Sequence, residues 1–145
     1  MAARFPEREE PVVLLVEDDE PLRDALSLVL AKAGYLVLPA GTAHDAIGQL
    51  QAPLSPVNVV LLDVHLPDAS GIDLCARIQQ SHPTVPIVIC TGQADADEGA
   101  RLLRLGVFRY FLKPMTVDEL LATMEAALDD HWRRAGGPPT PRPTS

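Results

Sequence analysis

The sequence predicts an α/β domain in which a parallel sheet is covered by helices on both faces. Three observations carry this. Strand-length apolar runs alternate with stretches of helical period five times along the chain. The runs at 12–16, 57–62 and 87–90 are apolar almost throughout, as strands buried on both faces are. The links between them are short and carry Gly, Pro or capping residues.

Each element has its own signals. Residues 1–10 are polar and read as a flexible leader; Pro11 opens the folded part, 11–133. The first strand is 12–16. Asp19 can cap the helix that follows, and Pro21 suits its first turn, where no backbone donor is needed. Leu22, Ala25, Leu26, Val29 and Leu30 recur at helical spacing, and Gly34 ends that helix. Residues 35–38 form a short second strand. Thr42, with Asp45 three residues on, opens a second helix to about residue 51, like a capping box with a shorter acid. Pro53-Leu54-Ser55-Pro56 breaks the chain before the third strand, 57–62. A loop from Asp63 reaches Gly71, and Ile72, Leu74, Cys75 and Ile78 mark the third helix. Pro86 precedes the fourth strand, 87–90. The fourth helix spans 95–105, with the acids of 95–98 in its first turn, and ends at Gly106. The fifth strand is 108–112. The last helix runs over 117–133 behind the Thr116/Glu119 capping-box pair. The Pro-rich segment 134–145 has no means of burying itself and reads as a disordered tail or linker.

The 145 residues fit one domain. A net charge of −8 repels phosphate backbones and argues against direct nucleic-acid binding. No apolar run approaches the ~18 residues of a membrane span, and the start, MAARFPEREE, lacks a secretory apolar region. Cys75 and Cys90 form no CxxC pair and read as small buried hydrophobes, unpaired, in a reducing cytoplasm.

Three strands end on residues that carry chemistry. The first runs into Glu17-Asp18-Asp19, the third into Asp63, and the fifth into Lys113-Pro114. Open parallel sheets bind ligands outside the carboxyl ends of their strands, where strand order reverses. Carboxylates crowded there raise one another's pKa or require a cation, and an all-oxygen set suits magnesium. Acids after strands also cap helices. Asp19 is read that way, whereas Glu17 and Asp18 are read as site residues, because that also accounts for Asp63. Asp63 is either a metal ligand only or also a nucleophile that forms an acyl phosphate. Lys113 can then meet phosphoryl oxygens as a point charge, and Thr91 can offer its hydroxyl.

The segments VVLLVEDDEPLR (12–23), VVLLDVHLPDASGIDL (59–74), PIVICTG (86–92) and FRYFLKP (108–114) closely resemble the receiver domain of bacterial two-component response regulators. The resemblance covers roughly residues 11–131. It implies a flavodoxin-like fold, with a five-stranded parallel sheet in order 2-1-3-4-5 and five helices. It also implies that Asp63 accepts a phosphoryl group from a histidine kinase or a histidine phosphotransfer protein. Asp18 would ligate Mg2+ (or Mn2+) directly, Glu17 would act through water, and the backbone carbonyl of His65 would complete the protein's share of the shell. Lys113 would neutralise the phosphoryl group, with a cis bond to Pro114. Thr91 and Tyr110 match the switch pair that reshapes the surface of helix 4, strand 5 and helix 5, where an output protein or a second copy would bind. His65 and Gln93 match positions that tune self-dephosphorylation. Asp68, Ala69 and Ser70 depart from the commonest loop pattern, but Pro67 and Gly71 remain.

Other residues have plainer readings. The His65 side chain is expected to face solvent beside the site, and His44, His82 and His131 to lie on the surface. Trp132 reads as a partly packed aromatic. Tyr110 reads as core from its strand position alone; the resemblance makes it a switch residue. Arg101 and Arg104 belong either to a solvated face or to a partner surface. The rival function is a magnesium-dependent phosphatase with an aspartyl nucleophile, but such hydrolases resembling the haloacid dehalogenases want an aspartate where His65 stands. A third reading is a phosphorylation-independent scaffold, against which the intact set of Asp18, Asp63, Thr91 and Lys113 argues. A fourth is a receiver segment cut from a longer regulator or hybrid kinase.

Overall fold

In the computed structural model, which describes residues 10–52, 56–93 and 95–137, strands and helices alternate without exception. They are β1 (Val12–Val16), α1 (Glu20–Lys32), β2 (Leu36–Ala40), α2 (Ala43–Gln51), β3 (Val59–Leu62), α3 (Gly71–Ser81), β4 (Ile87–Thr91), α4 (Ala96–Leu105), β5 (Arg109–Leu112) and α5 (Val117–Arg134). The strands pair in parallel in the order β2-β1-β3-β4-β5, as expected. The 1–9 part of the leader, the break at 53–55 and the tail from 138 lie outside the described residues.

The period of two along each strand builds two cores. Val12, Leu14, Val16, Val60, Leu62, Ile87 and Ile89 face α2, α3 and α4, meeting Ala46, Leu74, Ile78 and Leu102. Val13, Leu15, Val59, Leu61 and Val88 face α1 and α5, meeting Leu30, Leu120, Met124 and Leu128. All five residues of β1 are buried, which is why that run carries no polar alternation. Cys75 is buried and Cys90 half-buried, and both are free; burial pushes the Cys75 thiol up to about 12.

Four strands differ from their expected limits: β4 runs one residue further, to Thr91, β5 starts one residue later, at Arg109, and β2 and β3 change more. β2 extends through Pro39 to Ala40. It is an edge strand, where a proline's missing N–H leaves no ladder bond unmade. β3 starts at Val59; Asn58 before it still donates its backbone N–H to Val12 O at 2.9 Å, and its side chain joins in. Its side-chain Oδ1 accepts from the Val12 N–H at 2.8 Å, and its Nδ2 lies 3.2 Å from His131 Nε2.

His131 is the clear correction: it is buried, not on the surface. Its chain neighbours are charged, but it continues the buried stripe of Leu120, Met124, Ala127 and Leu128 on α5. Nδ1 lies 2.8 Å from the Thr84 carbonyl oxygen, to which it donates, so Nε2 accepts from the Asn58 amide. His131→Ala leaves both partners without their bond. The expected loss is about 1–3 kcal/mol in urea unfolding, the cost of unmade hydrogen bonds at a buried site.

Candidate functional site

The strand register brings the chemistry together. Val16 stands opposite Leu62, Leu62 opposite Ile89, and Thr91 opposite Leu112. The residues that follow these positions therefore leave the sheet at one edge, where the order reverses between β1 and β3. Backbone bonds continue past the strands. The Asp63 N–H donates to Val16 O at 2.9 Å, Glu17 N–H to Ala40 O at 3.0 Å, and Lys113 N–H to Thr91 O at 2.8 Å.

Glu17, Asp18 and Asp63 each offer a carboxylate oxygen within 4.8 Å of the others. Glu17 and Asp63 are buried and Asp18 is exposed. Lys113 Nζ donates to Glu17 Oε1 at 2.7 Å and to Asp63 Oδ2 at 2.9 Å. The other oxygens are also engaged. Glu17 Oε2 accepts from the Asp19 N–H at 3.2 Å, and Asp63 Oδ1 from the His65 N–H at 2.9 Å. Asp19 itself caps α1, accepting from the Leu22 N–H.

Charge does not balance at this edge. Burial pushes the Glu17 carboxyl up, against the hydrogen bond from Lys113 that pulls it down. Burial pulls the Lys113 ammonium down, but its bonds to Glu17 and Asp63 outweigh burial and hold it above the ordinary lysine value. One ammonium faces three carboxylates, so a further cation fits. The donors are hard oxygens on the rim of an open edge, the set that a divalent ion such as magnesium takes. These residues could hold a metal ion.

The remaining candidates surround this centre. Thr91 is fully buried at the end of β4, its Oγ1 2.9 Å from His65 Nδ1. His65 is exposed beside the site, as expected, with 39% of its side chain open to solvent and Nε2 3.5 Å from Glu98 Oε1 on α4. Tyr110 is half-buried on β5, its ring beside Gly99 of α4 and its hydroxyl 3.5 Å from the Gln93 carbonyl. Burial first, then the Glu98 charge, pushes the Tyr110 phenol up. Gln93 is exposed at the rim. Lys113-Pro114 is cis, as the resemblance implies.

Three contacts at the site have no signal in the sequence. Arg23 Nη1 donates to the Glu17 carbonyl at 2.8 Å, tying α1 to the acidic turn. Glu98 reaches His65 from α4. Asp68, in the loop after Asp63, accepts from the N–H groups of Ala43 at 2.8 Å and His44 at 3.0 Å. It thereby caps α2 from 25 residues away, while Thr42 takes the Asp45 N–H. No local spacing reveals a cap whose partners lie so far along the chain.

The Asp68 cap has a pH signature. Its two backbone donors, Ala43 first and then His44, hold the carboxyl below its ordinary 3.8. A depressed folded value gives stability that is present above 3.8 and lost as pH falls through the folded value. Asp68→Asn is therefore expected to melt below wild type at neutral pH, with the gap closing in acid. Thermal melts at neutral pH and well below 3.8 check this.

A 2-1-3-4-5 parallel sheet with a carboxylate trio and a lysine at its reversal point defines a receiver domain. The chain belongs to the response regulator receiver domain family, which matches residues 13–125. It is the receiver domain of a two-component response regulator; such domains are signalling phosphoacceptor folds, not classical enzymes. It is 33% identical over 121 residues to the DNA-binding transcriptional regulator NtrC of Escherichia coli (strain K12), covering 83% of this chain and 25% of that protein. It is 34% identical over 116 residues to the sensory transduction protein RegX3 of Mycolicibacterium smegmatis, covering 80% of this chain and 50% of that one. Among solved structures, a CheY-like response regulator receiver domain protein from Methanospirillum hungatei JF-1 matches with a TM-score of 0.81 and 26% identity. That match covers 86% of this chain and 98% of the other. The chain thus spans a quarter to a half of the length of these two curated relatives. No helix among the described residues is long and apolar enough to cross a membrane.

Proposed function

We propose that Asp63 accepts a phosphoryl group from a phosphohistidine on a histidine kinase or histidine phosphotransfer protein. One observation carries this: Lys113 Nζ bridges the buried Glu17 and Asp63 carboxylates beside Asp18. An Asp63 oxygen attacks phosphorus, and the P–N bond of the donor breaks. Its electron pair returns to the donor's imidazole, leaving an acyl phosphate on Asp63. Lys113 then follows the new charge from carboxylate to phosphoryl oxygen. Glu17, Asp18 and Asp63, with the His65 carbonyl, would hold Mg2+ (or Mn2+), which when bound neutralises charge on the phosphoryl oxygens.

The Thr91 hydroxyl turns toward the phosphoryl group, Tyr110 moves into the space it leaves, and the α4–β5–α5 face changes for an output partner or a second copy. The added charge biases an equilibrium between two forms of that face. His65 and Gln93 flank the group and set its lifetime. The receiver unit acts in the cytoplasm.

Acetyl phosphate with magnesium is expected to add one phosphoryl mass to the wild type and none to Asp63→Ala, read by intact mass. An unchanged adduct in the variant removes Asp63 as acceptor. Steady turnover of a phosphomonoester would instead favour the aspartyl-phosphatase reading.

A further inference from the structure

Glu98 lies in the first turn of α4, with its Oε1 buried and making no hydrogen bond among the described residues. The polar group facing that oxygen is His65 Nε2, at 3.5 Å. The other ring nitrogen, Nδ1, is 2.9 Å from Thr91 Oγ1. That approach is a close polar contact and not a hydrogen bond; with the ring proton on Nε2, facing Glu98, Nδ1 is left to accept from the Thr91 hydroxyl. Glu98, His65 and Thr91 thus form one chain from α4 to the end of β4. The next residue on α4, Gly99, lies under the Tyr110 ring: a Cβ built there would sit 3.7 Å from it. A single helical turn therefore touches both His65 and Tyr110.

We infer that Glu98 is a positioning residue, which through His65 holds Thr91 and α4 in the unphosphorylated arrangement. The inference rests on the phosphoacceptor reading of Asp63. The Thr91 hydroxyl has one proton. It can donate to His65 Nδ1 or to a phosphoryl oxygen on Asp63, not to both. When it turns to the phosphoryl group, the imidazole loses its anchor and the Glu98 side chain loses the contact that ties α4 to the loop after β3. A contact made only in the unphosphorylated form opposes conversion, and by linkage it weakens any ligand that requires the other form.

The test is a beryllofluoride titration of the full chain with saturating magnesium, followed by amide NMR shifts. Glu98→Ala is expected to lower the half-saturating concentration by about two- to five-fold, the span of one partly exposed ion-pair-strength contact. Glu98→Gln keeps an acceptor oxygen for Nε2–H and is expected to shift it less. Glu98→Ala added to His65→Ala is expected to change nothing further, because both remove one chain of contacts. Wild-type half-saturation in Glu98→Ala, a weaker response there, or additive effects in the double variant would overturn this role while leaving Asp63 as acceptor. A wild type that takes up no beryllofluoride would overturn both.

Discussion

Lys113→Ala is expected to lose about 1–3 kcal/mol of unfolding free energy in metal-free buffer near neutral pH. Removing one partner of a fully buried ion pair costs ~3–5 kcal/mol. Lys113 keeps 23% of its side chain exposed, so solvent screens part of that cost. The loss arises because Glu17 and Asp63 remain buried and crowded with no ammonium between them. Two further results separate this cause from a simple loss of packing. Magnesium should restore more stability to the variant than to the wild type, since ion binding to the folded form now relieves a larger repulsion. Acid should do the same. Burial already raises the folded Glu17 value, so the charged form carries a cost that is present above that value and relieved as pH falls through it. Without Lys113 that relief grows. In the wild type the lysine has the opposite signature: its folded value is raised, so its contribution is full below the unfolded value and lost as pH climbs through the folded one. Some labelling by acetyl phosphate should survive in Lys113→Ala, whereas the movement of Tyr110 should not follow it.

Gly71→Ala is the second large effect, and its cause is steric. A Cβ at Gly71 would collide with the Val64 backbone, including its carbonyl oxygen at 2.6 Å. The Gly71 N–H also donates to that carbonyl at 3.1 Å, and His65 and Ser70 form an isolated antiparallel bridge above it. The loop from Asp63 to Gly71 is therefore closed on itself with no room for a methyl group. Overpacking of this kind costs about 1–3 kcal/mol, and more where backbone must move. Val64 lies between Asp63 and His65, so the strain falls on the acceptor's own loop. Urea unfolding should show the loss, and calorimetric magnesium titration should show weaker binding than wild type. A wild-type midpoint in Gly71→Ala would mean that the loop yields without cost.

The parts of this protein legible in its sequence are those fixed by short-range pattern. The buried runs of β1, β3 and β4 had to be apolar on both faces, so the polar residue that ends each of them stood out. The caps at Asp19, Thr42 and Thr116 act within three residues and left their spacing in the chain, whereas Asp95, read as part of the first turn of α4, is its cap. What stayed hidden depends on contacts between distant segments. The run of β2 through Pro39 to Ala40, past the expected end at 38, rests on β2 being an edge, a fact of topology. His131 looked exposed among charged neighbours, although its partners Thr84 and Asn58 come from other elements. Asp68 appeared only as a departure from a familiar loop, until α2 supplied the backbone donors that it caps. The approach of Glu98 to His65 likewise joins α4 to the loop after β3, which no local spacing reveals.

A crystal structure of the protein with magnesium and beryllofluoride bears most directly on the central claim. The expected result is beryllium on an Asp63 oxygen, the metal among Glu17, Asp18 and Asp63, and Lys113 Nζ moved from its two carboxylates onto a fluoride. Beryllofluoride bound to another residue, or a metal seated away from these three acids while Lys113 keeps both its present bonds, would contradict it.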